Sequence, residues 1–248
     1  MLSKREPQRR LTSLVEDEMT IKAARLQEGT RTLAAEVFQR MRADIVSCRL
    51  APNLQLKFEP LKEAYGASFS TLREALTGLV SEGLVASEGQ RGFRVAPASR
   101  QELQELTDAR VLIERELIKL AIEKGNDDWE VEATAALHRM SLLEQRNPSG
   151  FFLGDDYRAA HQKFHDVLVN PSGSGVLIGI RASLYARAER YRSLSAIYRK
   201  HKRNKVGEHK SILDAVLSRK TKLSQELLEN HIRATTKNVL ECASDLLV

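Results

Sequence analysis

The chain has 248 residues, 42% hydrophobic and 29% charged, which excludes an extended polar polymer and leaves room for two domains of ordinary size. The net charge of +6 is evenly split: residues 1–97 carry 15 Lys/Arg against 12 Asp/Glu and residues 98–248 carry 24 against 21, so a polyanion-binding surface has to be a local patch. Cys48 and Cys242 lie far apart without metal-ligand spacing and read as reduced thiols; with no apolar run near the ~20 residues of a bilayer span and no signal-peptide core, a cytoplasmic protein with no membrane part is expected.

Residues 1–30 are polar and charged, a flexible or partly helical arm whose Lys4, Arg5, Arg9 and Arg10 suit a nucleic-acid backbone. From Thr32 a helical period is clear, with Leu33, Val37, Met41, Ile45 and Val46 on one stripe. Leu50 to Asn53 breaks that helix, Leu54 to Leu56 suits a short strand, and Glu59 to Tyr65 a short helix closed by Gly66. Ser68 is placed to cap the next helix, where Leu72, Leu76, Leu79 and Val80 fall three or four apart. Gly83 ends it. Leu84–Ser87 and Phe93–Val95 then pair as a hairpin whose tip is Gln90-Arg91-Gly92. Two short helices joined by a tight turn, with a basic hairpin behind the second, are the outline of a winged helix-turn-helix that docks on DNA.

Ala96 to Ser99 reads as a domain boundary, with Ser99 and Glu102 spaced as a capping box. Beyond it no strand is evident. Helices are expected over about 99–109, extending toward Lys124, then over about 129–145, 152–169, 174–191, 204–218 and 222–247. The expected fold is mainly α: an N-terminal winged helix-turn-helix with a small β-hairpin wing, and a C-terminal antiparallel bundle of six or seven helices. The corresponding division is an arm at 1–30, a DNA-binding domain at 31–97 and a helical domain at 98–248.

Four histidines sit among apolar neighbours at helical spacing. His161 and His165 share one helix face, His209 lies on a later helix and His231 on the last. Imidazoles on facing helices can build a metal site in a bundle core, suited to Zn, Ni, Cu or Fe, or they can be ordinary core and surface polarity. His138 and His201 read as partly exposed. No phosphate loop, nucleophile elbow or His-Glu-x-x-His is present in the sequence.

Taken together, these residues resemble the GntR superfamily of bacterial transcription regulators, in the FadR branch whose effector domain is called FCD. The resemblance rests on Ser68, Leu72, Arg73, Glu74, Ala75 and Leu76, on the wing Gly89 to Val95, and on Arg110 with Glu114. It rests further on Phe164-His165, Glu208-His209 and His231, and it spans about residues 32–240. It implies a homodimeric, ligand-responsive regulator, most often a repressor, that binds palindromic double-stranded operator DNA and is nucleoid-associated in the cytoplasm. DNA-binding residues would be Ser68, Phe69, Ser70, Thr71, Arg73, Gln90 and Arg91. A divalent metal, Zn or else Ni, would sit on His161, His165, His209 and His231, beside a small carboxylate effector held by Arg110. Arg187, Arg190 and Arg192 are further candidates, with Arg190 put forward; Arg110 has the alternative of an ion pair with Glu114 or Asp108.

Two departures from the family pattern stand out. Phe69 replaces a frequent arginine and Thr71 a usual proline, so readout shifts toward apolar contact with a thymine methyl. His161 stands where many members have aspartate, which keeps four donors but removes a negative charge and favours a softer metal. A competing reading is a helical-bundle metalloenzyme built on the four histidines. No general base accompanies them, and four protein ligands leave no open position in a tetrahedral site.

Overall fold

The computed structural model describes residues 32–146, 154–198, 206–244 and 247. The expected arm, the turn at 147–150 and the basic run around His201 lie outside them. Helix α1 (Leu33–Val46) opens where the Thr32 hydroxyl accepts from Ala35 N, and buries Val37, Met41 and Ile45. Strand β1 (Gln55–Leu56) leads into helix α2 (Phe58–Tyr65), which Gly66 closes in the left-handed region at φ 62°. Helix α3 (Phe69–Ser81) buries Leu72, Ala75, Leu76 and Leu79 against α1. Strands β2 (Val85–Ser87) and β3 (Phe93–Val95) flank a single 3₁₀ turn, Gly89–Arg91.

The sheet has the order β1-β3-β2 and is antiparallel throughout. Gln55 faces Arg94 on one side, and Ala86 faces the same residue on the other. Gly92, at φ 89°, lets the wing reverse at its tip. Arg94 pairs with Glu88 and donates to Asn53 O, which ties the wing to β1. One core, from Val37 to Val95, serves all of these elements.

Among the described residues the remainder is six helices: α4 (Arg100–Lys124), α5 (Asp127–Arg146), α6 (Asp155–Val169), α7 (Gly175–Tyr198), α8 (Val206–Leu217) and α9 (Thr221–Cys242). Ser99 caps α4 as expected, its hydroxyl accepting from Glu102 N. α4 runs unbroken to Lys124, the extension expected from the sequence, while two C-terminal boundaries differ: α7 continues seven residues past Tyr191, through Ser193 and Ser195, and α9 stops at Cys242 instead of Leu247. No glycine or proline interrupts α4 or the stretch of α7 from Arg192 to Tyr198, and both serines are buried. Packing of the whole helix surface therefore outweighs the weak helix preference of serine. Both cysteines are free thiols, and burial pushes that of Cys48 up to about 11. No helix among the described residues is long and apolar enough to cross a membrane.

The α4–α5 corner shows why glycine stands at 125. Trp129 is buried, its Nε1 donating to Val167 O at 2.8 Å, and its ring lies over Gly125. A Cβ on residue 125 would come 2.0 Å from ring atom Cε3. The ring is fixed by the core, so Gly125→Ala is expected to destabilise the protein by about 2 kcal/mol, a fall in Tm of about 4–8 °C by calorimetry.

Candidate functional site

Two surfaces carry chemistry. The first is the exposed face of α3 with the wing. Ser68 caps α3 through Thr71 N (3.3 Å), and its Oγ lies 2.9 Å from the hydroxyls of both Ser70 and Thr71. With Leu72, Leu76 and Leu79 turned inward, Phe69, Ser70, Arg73 and Thr77 face outward. Gln90 and Arg91 are exposed on the wing.

What the cations do is informative. Arg42 pairs with Glu82, Arg49 with Asp44 and Arg94 with Glu88, while Arg40 donates to Tyr65 O and Ala64 O. Among the described residues, Arg73 and Arg91 have neither an ion pair nor a side-chain hydrogen bond. Lys57 is in the same state and is exposed at the start of α2; the sequence reading missed it.

The second surface is internal. His161 and His165 on α6, His209 on α8 and His231 on α9 are all buried, and they offer ligand nitrogens within 4.8 Å of one another. This is looser than the ~3.4 Å between donors of a tetrahedral Zn site, yet all four converge on one point. His161 Nδ1 is 2.9 Å from Tyr185 Oη and His231 Nδ1 is 2.8 Å from Glu208 Oε2, so both rings present Nε2 to the cluster. Outer partners of this kind fix the ring orientation of metal-binding histidines. Neither nitrogen of His165 has a hydrogen-bond partner, although the ring is 2% exposed. Burying such a polar group without a partner is costly; a metal ion is a partner that these residues fit.

Beside the histidines is a narrow cavity of about 20 Å³, room for one water. Arg110, Tyr185, Glu189, Arg192 and Thr235 complete its wall. Arg110 lines the cavity and pairs with Glu114 (2.7 Å), the ion pair named as the alternative to an effector contact. Glu114 is fully buried; the cost of burial, which alone would raise its pKa, is outweighed by Arg110 and Arg181, and its carboxyl stays below the usual range. The Tyr185 ring lies between the guanidiniums of Arg110 (5.2 Å) and Arg181 (5.3 Å). Arg192 is buried against Glu189.

Arg190, expected at the effector, is elsewhere. Its guanidinium donates to Ala96 O (2.7 Å) and Pro97 O (3.1 Å) and approaches Glu102. Arg192 occupies the cavity wall instead, because two residues turn a helix by about 200°. Arg181, Tyr185 and Arg192, at i, i+4 and i+11, were the stripe to look for.

A winged helix-turn-helix joined to an all-α bundle is the architecture of a helix-turn-helix transcription regulator. The chain belongs to the gntR family of bacterial regulatory proteins, matched over residues 33–95, and carries an FCD domain over residues 105–234. It is 36% identical over 210 residues to the uncharacterized HTH-type transcriptional regulator BphR of Paraburkholderia xenovorans, covering 84% of this chain and 85% of that one. It is 35% identical over 199 residues to the HTH-type transcriptional repressor GlaR of Escherichia coli, covering 79% and 90%. Among solved structures, E. coli McbR/YncC superposes with a TM-score of 0.72 at 18% identity, covering 85% of this chain and 98% of that one, a likeness of fold. The relatives are transcription regulators, and the protein is a DNA-binding regulator rather than an enzyme.

Burial is the first cause that holds His161 and His165 well below the usual histidine pKa, followed by Arg192 for His161 and His231 for His165. Both rings are thus neutral in the fold but take up a proton near pH 6.5 once unfolded. The unfolded chain binds more protons below that pH, so stability falls as pH drops, by about 1.4 kcal/mol per pH unit for each ring. Melts of chelator-treated protein from pH 7.5 to 5.5 are expected to show this decline, and His165→Gln to make it shallower.

Proposed function

We propose that the protein is a homodimeric, ligand-responsive repressor that reads a palindromic operator and senses a small carboxylate beside a divalent metal. Residues 31–97 act as the DNA-binding domain and residues 98–248 as the effector-binding and dimerisation domain. The observation that carries the sensory half is the four-imidazole centre, with both nitrogens of the buried His165 lacking partners.

His161, His165, His209 and His231 would hold the metal, Zn by donor type with Ni second. Four neutral imidazoles would leave the charge of a divalent ion uncancelled and so attract a carboxylate to the site; with four protein ligands in place, a carboxylate oxygen could join the ion only by expanding its coordination from four to five. Arg110 and Arg192 flank that site with guanidiniums now held by Glu114 and Glu189, and an incoming carboxylate would have to share or exchange those pairings. With room for only one water, the cavity has to open to admit an organic anion. Its wall includes Tyr185, Glu189 and Arg192 of α7, while Arg187, Arg190 and Tyr191 of the same helix meet Glu102 or the linker backbone. Movement of α7 would thus reach the joint between the domains, and a ligand that prefers the open form shifts the balance between arrangements of the winged helices.

On the DNA side, Arg73 would contact a base or phosphate from α3, and Arg91 and Gln90 would reach the backbone or minor groove from the wing. Ser68, Ser70 and Thr71 would bond phosphates at the helix N-terminus. Phe69 completes the face. The regulator GlaR is named a repressor, which supports that sign of control here.

Two measurements test the reading. Arg73→Ala is expected to lower affinity for an operator selected from random duplexes by about 10- to 100-fold with an unchanged Tm, and equal binding of the native protein to random and selected DNA would refute the operator assignment. Untagged protein purified without chelator is expected to carry about one equivalent of metal per chain by elemental analysis, and His165→Ala to lose it. Metal below about half an equivalent in the native chain would leave the histidines without the proposed role.

A further inference from the structure

The most exposed aromatic group beside the helix-turn-helix is Phe69, 52% accessible at the first position of α3. Exposing a ring this large works against solubility and calls for a reason in its surroundings. Those surroundings are polar and cationic: Ser68 and Ser70 on either side, Arg73 one turn along the same face, and Lys57 next to Phe58 in the chain. The ring is not loose. It packs on Phe58 with centroids 4.2 Å apart and planes tilted by 36°, and Phe58 in turn meets Phe93 of β3 edge-on at 6.2 Å. Phe58 and Phe93 pack against the winged-helix core. The aromatic row therefore runs from the wing, through α2, to the leading end of α3, and holds Phe69 from behind.

A backed ring has lost the freedom to insert as a wedge between base pairs, which is how apolar side chains kink DNA from the minor groove. It keeps an apolar edge pointed away from the core. Only one base offers an apolar group in the major groove, namely thymine through its 5-methyl, and a phenylalanine cannot exchange hydrogen bonds with the other bases. Resting on the reading of α3 as the helix that enters the major groove, we infer that Phe69 is a specificity-determining residue that reads the 5-methyl group of a pyrimidine in each operator half-site. The reading is of a methyl rather than of thymine as such, so a 5-methylcytosine placed there is accepted better than cytosine.

The test uses the full chain and an operator enriched from a random-sequence duplex library. Each thymine of one half-site is replaced in turn by deoxyuridine, which removes the methyl and leaves the hydrogen-bonding edge intact. At one position the native protein is expected to lose about four-fold in affinity, the worth of one buried methyl. Phe69→Ala is expected to bind the thymine and deoxyuridine duplexes equally, and Phe69→Leu to keep part of the preference. At that same position a cytosine duplex is expected to gain about four-fold on 5-methylation with the native protein, and nothing with Phe69→Ala. If the native protein enriches a defined sequence yet ignores deoxyuridine at every position, or if Phe69→Ala keeps the full preference, the inference is overturned while operator binding stands. Failure to enrich any sequence overturns operator reading itself.

Discussion

The linker between the two domains is seated around one carboxylate. Glu102, in the first turn of α4, accepts from Arg187 (2.6 Å) and from the Tyr191 hydroxyl (2.5 Å), and lies 3.4 Å from an Arg190 nitrogen. Ser99 N donates to the same tyrosine hydroxyl, and Arg190 takes the carbonyls of Ala96 and Pro97. The four residues between β3 and α4 are thus fixed by side chains from a helix nearly a hundred positions away. Hydrogen bonds to charged partners are stronger than neutral ones, and truncating one partner of a buried network leaves the others without compensation. The linker is consequently a joint with a defined seat.

The same helix faces the polar centre, and its amino-acid order explains how. From Tyr185 to Ala196 nearly every residue is buried, whatever its polarity. One face carries Tyr185, Glu189 and Arg192 to the cavity, with Arg181 behind them on Glu114 and Asp166; the other carries Arg187, Arg190 and Tyr191 to the joint. Burying so many charges is tolerable only because each meets a carboxylate or a carbonyl: Arg181 meets Asp166 and Glu114, Arg192 meets Glu189, and Arg190 meets the linker. Removing one partner from such a set costs far more than the set contributes as a whole. Changes of charge at the cavity therefore bear on the helix that seats the linker.

How much of this could be read from the chain follows from where polar and apolar residues contrast. The winged helix was legible because α3 separates Leu72, Leu76 and Leu79 from Ser70, Arg73 and Thr77 at a clean helical period. The four histidines were legible because each interrupts an apolar stripe, and the structure gathers all four. Helix α7 inverts that contrast: its exposed positions include the apolar Val176, Ile180 and Ile197 while Arg181, Arg190 and Arg192 are buried, so polarity does not reveal its orientation, and Arg190 and Arg192 look alike in sequence. Its continuation to at least Tyr198 was hidden because the buried serines imitate a loop. The role of Glu102 was visible only as half of a capping box. Its partners Arg187, Arg190 and Tyr191 are set by tertiary packing, which local pattern does not encode.

The few uncommitted cations of the winged helix bear on how the protein travels along a chromosome. Residues 32–97 hold 8 Lys/Arg against 7 Asp/Glu, and most of the arginines are tied into internal contacts. Attraction to arbitrary DNA grows with the number of phosphates neutralised and counterions released, and a domain with Lys57, Arg73 and Arg91 to offer releases few. From these three cations alone the winged helix would hold arbitrary DNA weakly and leave discrimination to base edges and the shape of the groove; Lys4, Arg5, Arg9 and Arg10 of the arm would add to the sequence-independent attraction.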